Sequence, residues 1–148
     1  MKTIGRNDKA DFPEIDLMNI SIKIDTGAYT SSMHCHDIKE IEDDGVKFIE
    51  FKVLDPTHPE YEDRVFKTKN YKVKTLKSSF GNVEQRFIVS TIIKIFGEQF
   101  PIQMSLSDRS EMKFPVLIGR RFLKGRFVVD TSLKNVSSDL KNNKNNKT

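Results

Sequence analysis

Ile20-Ser21-Ile22-Lys23-Ile24-Asp25-Thr26-Gly27-Ala28 is the stretch on which the reading of the whole chain turns. Ile20, Ile22 and Ile24 share one face of a period-two strand, and Asp25 leaves that face as the chain turns. A strand that runs out into Asp-Thr-Gly presents a single carboxylate on a tight bend. Gly27 lacks a Cβ, so its backbone can take positive φ or let another chain approach closely. Thr26 adds a hydroxyl able to donate or accept. Taken alone, any Asp-x-Gly after a strand reads as an ordinary turn, so the remaining sequence has to decide.

A second motif lies late in the chain. Val116-Leu117-Ile118 reads as a buried strand, and Gly119-Arg120-Arg121-Phe122-Leu123-Lys124-Gly125 follows as about one and a half helical turns closed by a glycine. Elsewhere the pattern is of strands. Thr3 to Arg6 opens the chain, followed by a loop carrying Pro13. In Val46 to Leu54 the apolar residues change face midway, which predicts a bend or bulge. Asp55-Pro56-Thr57-His58-Pro59 breaks the pattern. Tyr71 to Lys77 alternates, Ser78-Ser79-Phe80-Gly81-Asn82 supplies a turn, and Val83 to Phe96 is apolar on both faces for much of its length. Phe100, Ile102, Met104 and Leu106 form one face, with Pro101 pointing to an edge or outer position. The expectation is an all-β domain with one short late helix.

At 148 residues the chain suits one domain. Charged residues make up 31% and mean hydropathy is -0.51, which excludes a helical membrane span. The first residues contain no apolar run of signal-peptide length, and the single Cys35 excludes an internal disulfide, so a cytoplasmic location is expected. The formal charge of +4 misleads. Four of the 25 basic residues but only one of the 21 acidic ones lie in residues 134–148, which leaves residues 1–133 close to neutral. The expected division is a folded lobe over 1–133 and a disordered Asn/Lys-rich tail over 134–148. Neither a nucleic-acid surface nor a membrane surface is expected on the folded part.

Asp-Thr-Gly after an early strand, with an apolar-Gly strand running into a short helix late in the chain, resembles a retropepsin-type aspartic-protease lobe. A narrower resemblance covers nearly the whole chain up to Asp130. The chain is similar to the retropepsin-like family named "ATP-dependent zinc protease", found near a ribosomal-protein glutamate ligase in some bacteria. The matching residues include Ile4-Gly5-Arg6, Lys23 to Ala28 with Thr30-Ser31 and His34, and Val73-Lys74. They continue through Ser78 to Arg86, Leu106-Ser107-Asp108-Arg109 with Met112, and Leu117 to Asp130. Viral retropepsins commonly carry Asp or Asn where this chain has Arg121.

The resemblance implies a closed retropepsin-like barrel and a homodimeric aspartic endopeptidase acting on a peptide or protein substrate without a cofactor. Two carboxylates sharing one proton are needed for that chemistry. Asp130-Thr131-Ser132 is the nearest second copy and lacks the glycine, so the partner Asp25 has to come from a second subunit across a two-fold axis. Asp25 is then the shared acid/base, Thr26 braces the paired turns, and Gly27 and Ala28 admit substrate backbone. Further substrate contacts are implied for Gly81 and Arg120. A flap is implied as well, from residues 78–83 or from residues 55–64. A catalytically silent peptide-binding module on the same lobe is the alternative.

Other chemistries are weaker. His34 and His36 share one face of a strand and could hold zinc with Asp25, Asp37 or His58, but nothing in the spacing requires a third ligand, and no metal is expected. Cys35 as a nucleophile has only His58 to orient it. Glu40, Glu42, Asp43 and Asp44 read as a solvated hairpin turn at Gly45, and Lys67 to Lys77 as the wet face of a sheet. No Gly-x-x-x-x-Gly-Lys loop supports ATP binding.

Overall fold

The computed structural model describes residues 1–77, 79–108 and 113–146. In chain order the strands are β1 (Lys2–Ile4), β2 (Asn7–Phe12), β3 (Leu17–Ile24), β4 (Ser31–Asp43), β5 (Val46–Val53) and β6 (Phe66–Thr68). They continue with β7 (Tyr71–Lys77), β8 (Val83–Ile95), β9 (Glu98–Ser107), β10 (Val116–Ile118) and β11 (Phe127–Val129). Helix α1 (Arg120–Leu123) separates β10 from β11, and α2 (Val136–Asn146) follows.

The order β10-β3-β2-β8-β9-β4 closes on itself because β10 pairs with β3 on one side and with β4 on the other. The result is the closed six-stranded barrel of the retropepsin-like class, with β5 and β6 extending the sheet beyond β4 and β7 lying outside β8. Closure removes the sheet edges of the barrel itself. Its interior is filled by Phe12, Ile22, Met33, Ile93, Met104 and Ile118, each below 2% exposure.

Ile20, Ile22 and Ile24 are buried on β3 while Lys23 is exposed, as the alternation requires. The change of face around Val46 to Leu54 is absorbed across the ladder, by a register shift between His36 and Lys39 of β4, where Asp37 takes φ +51. Phe96 and Gly97, both at positive φ, turn β8 into β9. Pro101 lies in the half of β9 that β4 does not reach, so its missing N–H interrupts no inner ladder.

Two of the elements that were not anticipated are joined to each other. The loop expected before Pro13 is strand β2, whose buried positions include Asp8 and Asp11. Residues 134–148, expected to be a disordered tail, contain α2, and the reason is long-range. The Asp8 carboxylate accepts from Ser137 N (2.9 Å) and Ser138 N (3.0 Å), two amide groups of the first helical turn that have no partner within the helix. A carboxylate at that end also opposes the positive pole of the helix. The remaining feature of note is the segment 55–64, which is tied to the barrel. His34, fully buried, sets Nε2 at 2.9 Å from Asp55 Oδ2 and Nδ1 at 3.3 Å from Ser107 O. Glu60 pairs with Lys9 (3.1 Å), Asp63 with Lys52 (2.9 Å) and Arg64 with Asp16 (3.2 Å).

Removing the α2 cap with Asp8→Ala is expected to lower stability by about 1–2 kcal/mol, the usual loss for a helix cap. Urea unfolding measures that loss, and faster amide exchange at Ser137 and Ser138 locates it. Asp55 is held down to about 2 from its usual 3.8, first by the Thr57 hydroxyl, then by His34 and the Thr57 amide. Its folded value is depressed, so its contribution is complete above pH 4 and lost as pH falls towards 2. Thermal melts between pH 2 and pH 5 should show a smaller loss of midpoint with acid in Asp55→Asn than in the wild type.

Candidate functional site

The Asp25 turn is built where the end of β3 meets the end of β10 and the start of α1. Asp25 N donates to Ile118 O (2.8 Å), which carries the parallel β3–β10 ladder one residue past the strands. Ala28 N closes the turn on Asp25 O (3.2 Å), and Gly27 N donates to Asp25 Oδ1 (3.1 Å). The first residues of α1 hold the other side, with Arg120 N on Ala28 O (2.8 Å) and Arg121 N on Tyr29 O (3.0 Å). Gly119 N donates to the Ser31 hydroxyl (3.0 Å).

Gly119 is the residue that allows this contact. A Cβ there would stand 2.7 Å from Tyr29 O and 2.9 Å from Ala28 O, both backbone atoms, so any side chain would push the turn away. Gly27 behaves differently. It does not take positive φ, and a Cβ would meet nothing closer than the Asp25 carboxylate at 3.3 Å. The space over Gly27 is therefore open on the outside of the turn, where Thr26 and Gly27 are exposed and Asp25 is half-buried.

Arg120 completes the cluster. Its Nη1 donates to Thr26 O (2.9 Å), and its guanidinium lies 5.9 Å from the centre of the Tyr29 ring. Of the residues expected to form the site, Asp25, Thr26, Gly27, Ala28 and Arg120 are thus joined by direct bonds. Gly81 is not one of them; it sits at φ +81 in the turn between β7 and β8. The two loops expected as flap candidates differ physically. Residues 55–64 are pinned by the ion pairs above. The β7–β8 arm instead ends in exposed side chains, Phe80 at 90% and Val83 at 60%. Ser78, Arg109 and Met112, all from the matched stretches, lie outside the described residues.

The histidines are occupied by the fold. Beside the His34 contacts, His36 Nδ1 meets Leu54 O, while His58 accepts from Glu60 N (3.1 Å) and meets Lys113 O (3.1 Å). Among the described residues no group of three or more His, Cys, Asp or Glu has the geometry to hold a metal ion. Burial, and then the Asp108 carboxylate, raise the Cys35 thiol well above its ordinary value, which removes the thiolate a nucleophile needs. No described helix is long and apolar enough to cross a membrane.

Residues 3–139 match the family model described as RimB-like, "Retropepsin-like aspartic endopeptidase RimB". A crystal structure of the Legionella pneumophila protein Lpg0085, described as of unknown function, is similar at a TM-score of 0.72 and 28% identity, over 92% of this chain and 98% of that one. A "Probable alpha-L-glutamate ligase" of Desulfotalea psychrophila is 33% identical over 137 residues, which is 90% of this chain. One of the same name from Shewanella halifaxensis is 27% identical over 133 residues, 87% of this chain. The chain spans only 29% and 28% of those two relatives. Both the family model and the relatives carry enzyme names. The relatives are named for a synthetic reaction, however, and this overturns the expectation that the chain is an aspartic endopeptidase, and with it the hydrolase and protease assignment. On the match over residues 3–139, this chain belongs to the RimB-like family and carries its retropepsin-like domain.

Proposed function

We propose that the chain serves glutamate ligation as a peptide-holding lobe, binding an extended polypeptide across the Asp25-Thr26-Gly27-Ala28 turn and presenting it to ligase chemistry carried on other residues. The observation that carries this reading is the turn itself. Its inner side is fully bonded to β10 and α1, while its outer side offers a carboxylate, a hydroxyl and a glycine with open space above it. Groups of that kind bind a peptide through its main chain, which tolerates many sequences. Arg120 adds selectivity. One of its N–H groups is spent on Thr26 O, and the rest of the guanidinium can fork onto a glutamate carboxylate beside the Tyr29 ring. Ala28 lines the approach, and Gly81 closes over the bound chain from the tip of the β7–β8 arm.

Two copies related by a two-fold axis belong to the same proposal, because the exposed turn then becomes the floor of a groove open at both ends. The catalytic roles once expected of Asp25, Thr26 and Gly27 have no part in it. Asp25 accepts peptide N–H groups instead.

Fluorescence anisotropy with a labelled peptide ending in glutamates tests the lobe. The wild type should bind it saturably, and Arg120→Ala should weaken binding about tenfold, the scale of one charge-assisted hydrogen bond. No saturation at millimolar peptide overturns the reading. Sedimentation tests the pairing. Like charges meeting at the axis repel, so Asp25→Asn should tighten the dimer at pH 7; a wild type that stays monomeric at high concentration removes the dimer.

A further inference from the structure

A cleft of about 610 Å³ opens where β2 and the β8–β9 hairpin face α2, and none of residues 25–28 lines it. Its apolar lining is Ala10 and Ile95, both buried, with half-buried Phe96 from the hairpin and Leu140 from α2. Leu140 keeps 52% of its surface exposed, an open apolar wall on a helix otherwise rich in Asn and Lys. Four lysines also line the cleft, Lys2, Lys9, Lys94 and Lys141, against one carboxylate, Asp11. Clefts of this size hold small ligands.

The positive charge is not cancelled within the fold. Lys9 is spent on Glu60 (3.1 Å), and Asp11 accepts from the amide of Asn19 (2.7 Å). Lys94 stands opposite Asp11 on the neighbouring strand, yet among the described residues neither it nor Lys2 nor Lys141 forms an ion pair. Lys2 Nζ lies 5.3 Å from the centre of the Phe96 ring, which sets a cation directly beside apolar surface. Ammonium groups around a recessed apolar floor suit a ligand with one negative head and an apolar body. The recess argues against a flat bilayer, which would meet the exposed lysines without reaching Ala10 and Ile95. Phosphate is poorly served as well. No arginine is among the lining residues to offer forked donors, and two amides of the first α2 turn are already taken by Asp8.

We infer that this cleft binds a free anionic amphiphile of the fatty-acid class, its carboxylate among Lys2, Lys94 and Lys141 and its hydrocarbon chain against Ile95, Phe96 and Leu140. Occupancy has a structural consequence. Ser137 Oγ already accepts from Phe96 N (2.9 Å), so the first turn of α2 is tied to the hairpin. A bound chain extends that tie one turn along the helix, to Leu140 and Lys141, and suppresses local opening there. The site is independent of the Asp25 turn and of the peptide-holding reading.

Titration calorimetry with decanoate, kept below its micelle-forming concentration, provides the test. The wild type should bind decanoate saturably, and amide exchange at Leu140 and Lys141 should slow about threefold or more on binding. Lys94→Glu with Lys141→Glu should weaken binding about tenfold or more, and Leu140→Glu, also at an exposed position, should do so independently. Lys39→Glu with Lys47→Glu, the same charge change on the far β4–β5 hairpin, should alter it less than about twofold. Decyltrimethylammonium, a similar chain with the opposite charge, should not bind. Failure of decanoate to saturate, equal losses in the cleft and control pairs, or equal binding of decyltrimethylammonium refutes the site. So does sedimentation with phosphatidylglycerol vesicles that decanoate fails to prevent, which would make these lysines a membrane-facing surface.

Discussion

Everything at the candidate site depends on one close approach, the backbone of residues 28 and 29 lying against Gly119. Two α1 amides and one β10 carbonyl fix the turn, and they reach it only because position 119 has no side chain. The constraint is steric before it is electrostatic. Hydrogen bonds of 2.8 to 3.0 Å from both sides then convert proximity into a defined orientation for Asp25. Barrel closure serves the same end, because β10 enters between β3 and β4 and brings Gly119 with it.

Much of this was legible locally. The β3 alternation, the Asp-Thr-Gly exit, the β8–β9 hairpin and the short helix after Ile118 are each written in neighbouring residues, and period and glycine placement suffice to find them. The family resemblance added that the two motifs belong side by side. What stayed hidden depends on partners far away in sequence. Asp8 looks like a loop residue until its carboxylate is seen on Ser137 and Ser138, and residues 136–146 look incapable of order for the same reason. The bulge expected in β5 lies across the ladder in β4, since a face change can be absorbed by either strand. Two of the lysines read as a wet face border a cleft whose other wall is some fifty residues further on, a charge pattern that no sequence window spans.

The names attached to similar proteins and the geometry of this lobe bear on different levels. Retropepsin-like describes the barrel and the single carboxylate turn, and both are present. Glutamate ligase names proteins of which this chain corresponds to less than a third, so the name belongs to those longer proteins. A fold hosts a site without dictating its reaction. A lobe that grips extended polypeptide fits both levels, because main-chain recognition is needed wherever a protein terminus is to be modified.

The order of the strands carries a consequence for biosynthesis. β1 is laid down first and finds its parallel partner only at Phe127–Val129, while β3 waits for Val116–Ile118 before its far edge is covered. During N-to-C synthesis the isoleucine-rich β3 therefore emerges long before the strand that shields it, and no cooperative unit can seal until most of the chain has left the ribosome. Domains with such distant closures fold slowly and expose sticky edges meanwhile. A nascent chain of this topology has good reason to be met by a chaperone.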